Sequence, residues 1–374
     1  MSRKAVHSSR DGAGRPWIGA IVKFIVPVAV SCGLCWIMFH NIDFNAMLGV
    51  IREQCDFRWI GLMLGMSVIP MILRAVRWGI QLRALGVNAP LHSLIYSVVG
   101  CYSLNLVFPR LGEVWRTGYI AYREDAPFST VFGSMIADRF ADLLTVGLLT
   151  ALTFFLAREP IVDFVRTYPD AYNAIMAVVT SPWVWLAVLG VVYVIWFWLS
   201  RSRGGFAGKV RGFMGGLWEG FAAVVHMKGK LVWLVLTVGI WGCYYVQLVV
   251  AFNAFPVLRE LIHSSGLIVT LVCFVLTSIS MGVPSSGGIG PYQTTMLFGL
   301  NIFLPLLQRA QEASGAVVTG PGEFAVTGAA FGNVVIAAQT MLQIVLGLVV
   351  FLLVALDKRR QNSSPERCNV KNSM

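Results

Sequence analysis

Long apolar runs, separated by short polar or glycine- and proline-containing breaks, recur through most of the chain. A run of about 20 apolar residues matches the length of a helix that crosses a bilayer. The segments that we predict to cross are 17–39, 59–80, 129–157, 182–199, 231–252, 267–283, 294–307 and 327–356. The segment 294–307 is short and is predicted to be a partial or tilted span. The pattern therefore predicts an all-α, polytopic helical membrane protein with about eight transmembrane helices.

Another apolar segment, 91–108, is predicted to re-enter the membrane rather than to cross it. If it crossed, the strongly basic loop 201–230 would lie outside, whereas Lys and Arg are enriched in cytoplasmic loops. A segment that dips in and returns to the cytoplasmic side removes this conflict. Asn105 and Pro109 suit such a broken helix.

Composition agrees with a membrane location. Hydrophobic residues make up 57% of the 374 residues and charged residues only 13%, against about 25% charged in a typical soluble domain. The net charge is +11, but its basic residues flank the predicted spans, where they act as cytoplasmic anchors near anionic lipid. No nucleic-acid partner is predicted.

The domain prediction follows from the same pattern. We expect a disordered basic N-terminus at 1–16, one integral membrane domain at 17–357, and a disordered tail at 358–374. Both termini are predicted to be cytoplasmic because basic residues lie at each. Cys32 and Cys35 form a C-x-x-C inside an apolar span, which favours inert buried thiols over a redox pair. The five histidines lack metal-ligand spacing, so neither a metal nor another cofactor is predicted.

A short polar stretch, 105–142, stands out within this apolar chain. Its charged candidates are Arg110, Glu113, Arg116, Asp138, Arg139 and Asp142. Charges inside a membrane are costly and commonly functional. Asp138 and Asp142 share a helical face, and Arg139 can reach Asp142. Two interpretations remain open for this group: an ion-pair clamp between helices, or the polar wall of a substrate path.

The first break also carries candidate chemistry. Arg110 and Arg116 flank Glu113 at spacings of three, and two arginines at a broken helix can hold a phosphate bidentately. The alternative is an ordinary cytoplasmic loop with charge pairs. Earlier in the chain, Arg74 and Arg77 share a face. They are expected to snorkel toward headgroups, with a contact to lipid phosphate as the alternative.

A second break at 283–293 echoes the first, because Pro109-x-x-Gly112 recurs as Pro284-x-x-Gly287. This second break contains four further candidate residues, three glycines and a glutamine: Gly287, Gly288, Gly290 and Gln293. Paired broken segments in two halves of a chain are a pointer to a transporter site between inverted repeats. The phosphate-loop pattern G-x-x-x-x-G-K-[ST] is not present, so nucleotide binding is not predicted.

Four motifs in this order carry a resemblance to a known family. They are Arg77–Trp78, the N-x-x-x-P-R-x-G-E-x-x-R of Asn105–Arg116, the ADRFADL of 137–143, and the P-x-x-G-G-x-G of 284–290. Over most of its length the chain resembles the flippase-like membrane domain of lysylphosphatidylglycerol synthases. It departs from the family at Gln293, where members commonly have glutamate, and at a glycine-containing insertion, 309–326, predicted to be an exposed outer loop. No soluble aminoacyl-transfer domain like that of the larger members is expected within these 374 residues.

The resemblance implies lipid translocation in the cytoplasmic membrane of a prokaryote, rather than aminoacylation. The function predicted is a flippase or transporter that moves a phospholipid or lipid-linked headgroup along a polar path, with membrane lipids as partners. The path residues predicted are Arg77, Asn105, Arg110, Glu113, Arg116, Asp138, Arg139, Asp142, Gly287, Gly288, Gly290 and Gln293. No catalytic residue is predicted. The alternatives are a membrane transferase acting on a polyprenyl-phosphate sugar and a structural subunit, and a homo-oligomer is left open.

Overall fold

The computed structural model describes residues 44–108, 110–167, 181–182, 227–283, 285 and 287–363, with single residues within 186–193 and 215–222. Several predictions fall outside these residues. They concern the basic N-terminus, the predicted span 17–39 with its C-x-x-C, and most of 182–199 and 201–230.

The described residues are almost entirely helical, which confirms the predicted all-α class. The helices are α1 (Phe44–Gln54), α2 (Phe57–Met66), α3 (Val68–Ala84), α4 (Leu91–Val107), α5 (Leu111–Arg123), α6 (Phe128–Leu156), α7 (Arg158–Thr167), α8 (Lys230–Phe252), α9 (Pro256–Ser265), α10 (Ile268–Ser280), α11 (Pro291–Asn301), α12 (Leu304–Ser314) and α13 (Pro321–Ser363).

Among the described residues, four helical stretches are long and apolar enough to cross a membrane: α2 with α3, α6, α8, and α13 from Pro321 to Asp357. The bent pair of α9 and α10 makes a fifth if it is counted as one span. The four stretches coincide with the predicted spans 59–80, 129–157, 231–252 and 327–356. The last helix continues to Ser363, past the predicted start of the disordered tail.

The helices α4 and α5 form a hairpin. At its open end, Nη2 of Arg123 lies 3.2 Å from Nε2 of His92, so the chain returns to the side from which it entered. At its closed end, a Cβ on Gly112 would lie 2.1 Å from the carbonyl oxygen of Cys101, so only glycine allows this approach. The segment 91–108 thus has the geometry of the predicted re-entrant segment.

At 267–283 and 294–307, where the sequence predicts a full and a partial span, the structure has the helices α10 and α11, which are shorter than a full crossing. The helix α10 has only 13 residues, and it packs against α11 as a second hairpin. A Cβ on Gly299 would lie 3.0 Å from Sγ of Cys273, which shows how closely the two helices pack.

The reason for the second hairpin is backbone conformation. Gly287, Gly288 and Gly290 all have positive φ, a region that favours glycine, and they reverse the chain before α11. Before α10, the axis bends by 111° between α9 and α10. The sequence showed a break here, but not that the chain turns back.

The two hairpins enter the bundle from opposite ends and meet at their tips. The first starts at the end that carries Arg123, here called the Arg123 end. The second starts beside α9 at the opposite end. At the tips, the Gly287 N–H donates to the Asn105 carbonyl (3.2 Å), and Arg110 Nη2 donates to the Gly282 carbonyl (3.1 Å). This opposed pair is the arrangement expected of an inverted repeat.

The long helix α13 packs against both hairpins. Ser103 on α4 donates a hydrogen bond to the Gln343 carbonyl (2.7 Å), and Gln293 on α11 donates to the Asn333 side chain (3.3 Å). Around these contacts, one apolar cluster centres on Phe252, Phe255 and Phe331, and a second on Trp78, Leu82 and Ile120.

The prediction of an exposed loop over 309–326 is right about exposure but too long for the loop. The helix α12 runs to Ser314 and α13 begins at Pro321, so the connection is only 315–320. Gln311 is buried, and its Oε1 accepts a hydrogen bond from the Thr319 N–H (2.8 Å). Most of the segment is nonetheless exposed, including Arg309 and 312–318, so the predicted exposure holds.

Candidate functional site

Seven charged side chains from α3, α5 and α6 lie together inside the bundle. We call Arg74, Arg77, Glu113, Arg116, Asp138, Arg139 and Asp142 the charged cluster. At 1.5 Å per residue, Arg77 lies about 10 Å and Asp138 about 15 Å from the ends of their helices at the Arg123 end. The hydrocarbon core of a bilayer is about 30 Å thick, so the cluster lies at membrane depth.

Asp142 is the shared anion of the cluster. Its carboxylate accepts from Arg74 Nη1 (2.6 Å) and from Arg77 Nη2 (2.8 Å). The side chains of both arginines are at most 5% exposed. They do not snorkel toward the headgroups, as the sequence analysis expected, because carboxylates on α6 compensate their charges within the bundle.

Asp138 contributes charge but few hydrogen bonds. Its Oδ1 lies 2.7 Å from Arg77 Nη2, yet the approach does not have the angle of a hydrogen bond. Neither carboxylate oxygen has a hydrogen-bonding partner among the described residues, although the side chain is fully buried. Asp138 therefore compensates charge while both of its oxygens stay free to accept.

Residues of α8 and α4 complete this side of the cluster, and sequence reasoning missed them. Thr237 Oγ1 accepts from Arg77 Nη1 (3.2 Å), and the Trp233 ring centroid lies 5.4 Å from the guanidinium carbon of Arg77. The hydroxyls of Tyr102 and Tyr244 lie 3.3 Å apart. Single Thr, Trp and Tyr residues within apolar spans are common, so no sequence signal separates these from others.

The cluster reaches the surface at Arg139. Its guanidinium lies 3.4 Å from Glu113 and 3.7 Å from Asp142, which are looser contacts than those of Arg74 and Arg77. The Arg139 side chain is 33% exposed, against 14% for Glu113 and 12% for Asp142. The charged residues are therefore not sealed inside the bundle.

Arg116 carries the positive charge that the cluster leaves uncompensated. Its guanidinium carbon lies 3.9 Å from the centroid of the Trp78 ring, and the residue is 1% exposed. Its Nε and Nη2 have no hydrogen-bonding partner in the described part of the chain, nor does any described carboxylate lie within salt-bridge distance. Four guanidinium groups face three carboxylates in the cluster, and Arg116 is the one without an acid.

The remaining predicted path residues lie at the hairpin tips. Asn105 Oδ1 accepts from the Gly112 N–H (2.8 Å) and so caps the start of α5. Arg110, in a left-handed conformation at φ 66°, donates to the opposite tip. Gln293, buried on α11, accepts from the Gly290 N–H (2.6 Å). This side chain holds the second tip in place.

The twelve predicted residues thus form two neighbouring groups. Arg77, Glu113, Arg116, Asp138, Arg139 and Asp142 belong to the charged cluster, whereas Asn105, Arg110, Gly287, Gly288, Gly290 and Gln293 belong to the tips. Glu113 lies in the first turn of α5, directly after the first tip, and links the two groups. Within the described residues, no three His, Cys, Asp or Glu side chains are grouped as a metal site.

This architecture defines a multi-pass helical membrane protein with two opposed re-entrant hairpins beside a buried charged cluster. The chain matches the family described as the Lysylphosphatidylglycerol synthase TM region over residues 24–320, and it belongs to that family. The resemblance stated from the motifs is thereby confirmed. No curated protein and no solved structure matches the chain. The family points to a function that involves membrane lipids.

Proposed function

We propose that the protein is a flippase that moves a phosphate-bearing lipid headgroup across the cytoplasmic membrane of a prokaryote. The observation that carries this proposal is the uncompensated, buried guanidinium of Arg116 in a cluster that opens to the surface at Arg139. We assign the Arg123 end to the cytoplasm because Arg83, Lys228 and Lys230 lie there and the sequence of the strongly basic loop 201–230 leads into it.

The charge balance favours an anionic occupant over a purely structural clamp. A clamp that only held helices together would pair its buried charges, since an unpaired buried charge is strongly destabilising. Arg116 instead keeps Nε and Nη2 free, and an arginine can bind a phosphate through two parallel hydrogen bonds. Arg139, the most exposed cluster member, is the first to meet the headgroup.

The hairpins supply a plausible route between the two sides. Each hairpin is open toward one end of the bundle, and their contacting tips separate the two ends. Transporters with inverted repeats bind substrate near the midplane, between discontinuous helices, and expose it alternately to each side. We infer that parting of the tips lets the headgroup pass while the acyl chains stay in the lipid.

The test is lipid flipping in vesicles that contain the purified protein and an acyl-labelled fluorescent phospholipid. A membrane-impermeant reductant quenches only the outer leaflet, so further quenching reports flipping. Arg116→Gln removes the free charge and is expected to slow flipping at least about 10-fold, because a hydrogen bond to a charged group contributes about 1.5–3 kcal/mol. Arg116→Lys keeps the charge but loses the bidentate geometry, and its flipping rate is expected to lie between those of wild type and Arg116→Gln.

Arg309→Gln is the matched control, because Arg309 forms an exposed ion pair with Asp163 far from the charged cluster. It is expected to flip lipid at the wild-type rate. Wild-type flipping no faster than in protein-free vesicles would refute the proposed function. Equal flipping by wild type and a folded Arg116→Gln variant would refute the role given to the cluster.

A further inference from the structure

A second candidate binding site lies at the Arg123 end, between the end of α3 and the start of α8. There the structure has a cavity of about 620 Å³. This volume falls within the roughly 300–1,000 Å³ typical of small-ligand pockets. None of the predicted path residues lines it, so it is separate from the charged cluster.

The cavity combines positive charge with an apolar wall. The charge comes from Arg83 on α3 and from Lys228, which lies just before the start of α8. None of the described lining residues is acidic. Gly229, also in the lining, caps the start of α8 at φ 94° without a side-chain hydrogen bond. The first N–H groups of this 23-residue helix therefore add positive potential beside the two cations.

Apart from Gly229, the other described lining residues are apolar: Ile80, Ala84, Met227 and Val232. A free phosphate ion would gain nothing from these side chains, whereas a phospholipid would place its phosphate at the cations and its acyl chain along this wall. We propose that the cavity binds the phosphodiester headgroup of an anionic phospholipid.

The position of the cavity links it to the charged cluster. Ile80 follows Arg77 by three residues on α3, and Val232 precedes Trp233, whose ring lies over Arg77. One helical turn of about 5 Å thus separates the cavity from the cluster along the contact between α3 and α8. If the protein is the flippase proposed above, this is where a lipid waits before its headgroup enters the cluster; lipid binding itself does not depend on that function.

The test is native mass spectrometry of the purified full-length protein titrated with phosphatidylglycerol or phosphatidylcholine. Wild type is expected to retain phosphatidylglycerol in preference to phosphatidylcholine. The double substitution Arg83→Gln/Lys228→Gln is expected to weaken phosphatidylglycerol binding about 25-fold, since each basic residue near anionic lipid contributes about a factor of five. Ala84→Trp fills the cavity without changing charge and is expected to weaken binding of the same lipid comparably.

The controls separate this site from the proposed function. Arg309→Gln removes an equivalent charge at the opposite end and is expected to bind like wild type. If wild type binds phosphatidylglycerol selectively and both cavity variants lose that binding, while wild type flips no lipid, only the proposed function fails. Equal binding by wild type and both cavity variants would overturn the proposal, and so would displacement of the lipid by millimolar inorganic phosphate, which would show that the acyl chain contributes nothing.

Discussion

Replacing Asp142 by asparagine removes the carboxylate that two buried arginines share. Arg77 would keep Asp138 at 2.7 Å, but Arg74 would lose the only described carboxylate within salt-bridge distance. A charge left uncompensated at the centre of a membrane helix costs about 2.5–3.5 kcal/mol on insertion scales. Breaking a buried ion pair costs about 3–5 kcal/mol. We therefore expect Asp142→Asn to lower the free energy of unfolding by about 3 kcal/mol.

Asp138→Asn provides the contrast. Arg77 would keep its hydrogen bond to Asp142, and Asp138 has no hydrogen bond of its own to lose. Because Arg77 stays paired with Asp142, no arginine of the pair is left uncompensated, and we expect a smaller loss of about 1 kcal/mol. The order of the two variants, with Asp142→Asn much the more costly, follows directly from the geometry of the cluster.

The assay is unfolding in mixed micelles by titration with SDS, followed by tryptophan fluorescence. Asp163→Asn serves as the control, because its pair with Arg309 is exposed and such pairs contribute about 0–1 kcal/mol. Adding Arg74→Met to Asp142→Asn should recover part of the loss, since the uncompensated charge is then gone. Asp138→Asn destabilising as much as Asp142→Asn would contradict the arrangement described here.

Two further predictions test the hairpins. Gly112→Ala is expected to cost about 3 kcal/mol of unfolding free energy in the same assay, because its Cβ would lie 2.1 Å from the Cys101 carbonyl oxygen. The control Gly118→Ala, whose Cβ would have no atom nearer than 3.9 Å, is expected to be neutral or stabilising. Equal effects of the two substitutions would refute the close approach at Gly112. The native side chains of Tyr122 and Val317 are 85% and 91% exposed, at opposite ends of the bundle. We expect Tyr122→Cys and Val317→Cys to react with an impermeant maleimide from opposite sides of the membrane, above the labelling of the unsubstituted chain. Labelling of both from one side would refute the topology.

The sequence was sufficient for the helices whose apolar runs are long and uninterrupted. The spans at α6, α8 and α13 follow from length alone, because a helix of that hydrophobicity has one stable location. The re-entrant first hairpin followed from charge asymmetry around 91–108. The second hairpin could not be found in this way, since 267–283 has no flanking charges that conflict with a full span.

The sequence singled out the carboxylates of the charged cluster more clearly than its arginines. Asp138 and Asp142 stood out because carboxylates are rare in apolar helices. Arg74 and Arg77 carry the same information, but arginines near a helix end also snorkel, so the sequence could not separate the two outcomes. Which of several arginines takes each carboxylate depends on tertiary packing, and only the structure shows that Arg116 is left without one.

The helix α13 gives the two hairpins a common wall. Gly347 lets α4 approach so closely that a Cβ would meet Ser103 Oγ at 2.1 Å, and Gly332 lies against Gln293 of α11. Small residues at both contacts leave few interlocking side chains to oppose sliding of packed helices. A shift of α13 along its axis would therefore displace both hairpins in the same movement, which couples their positions mechanically.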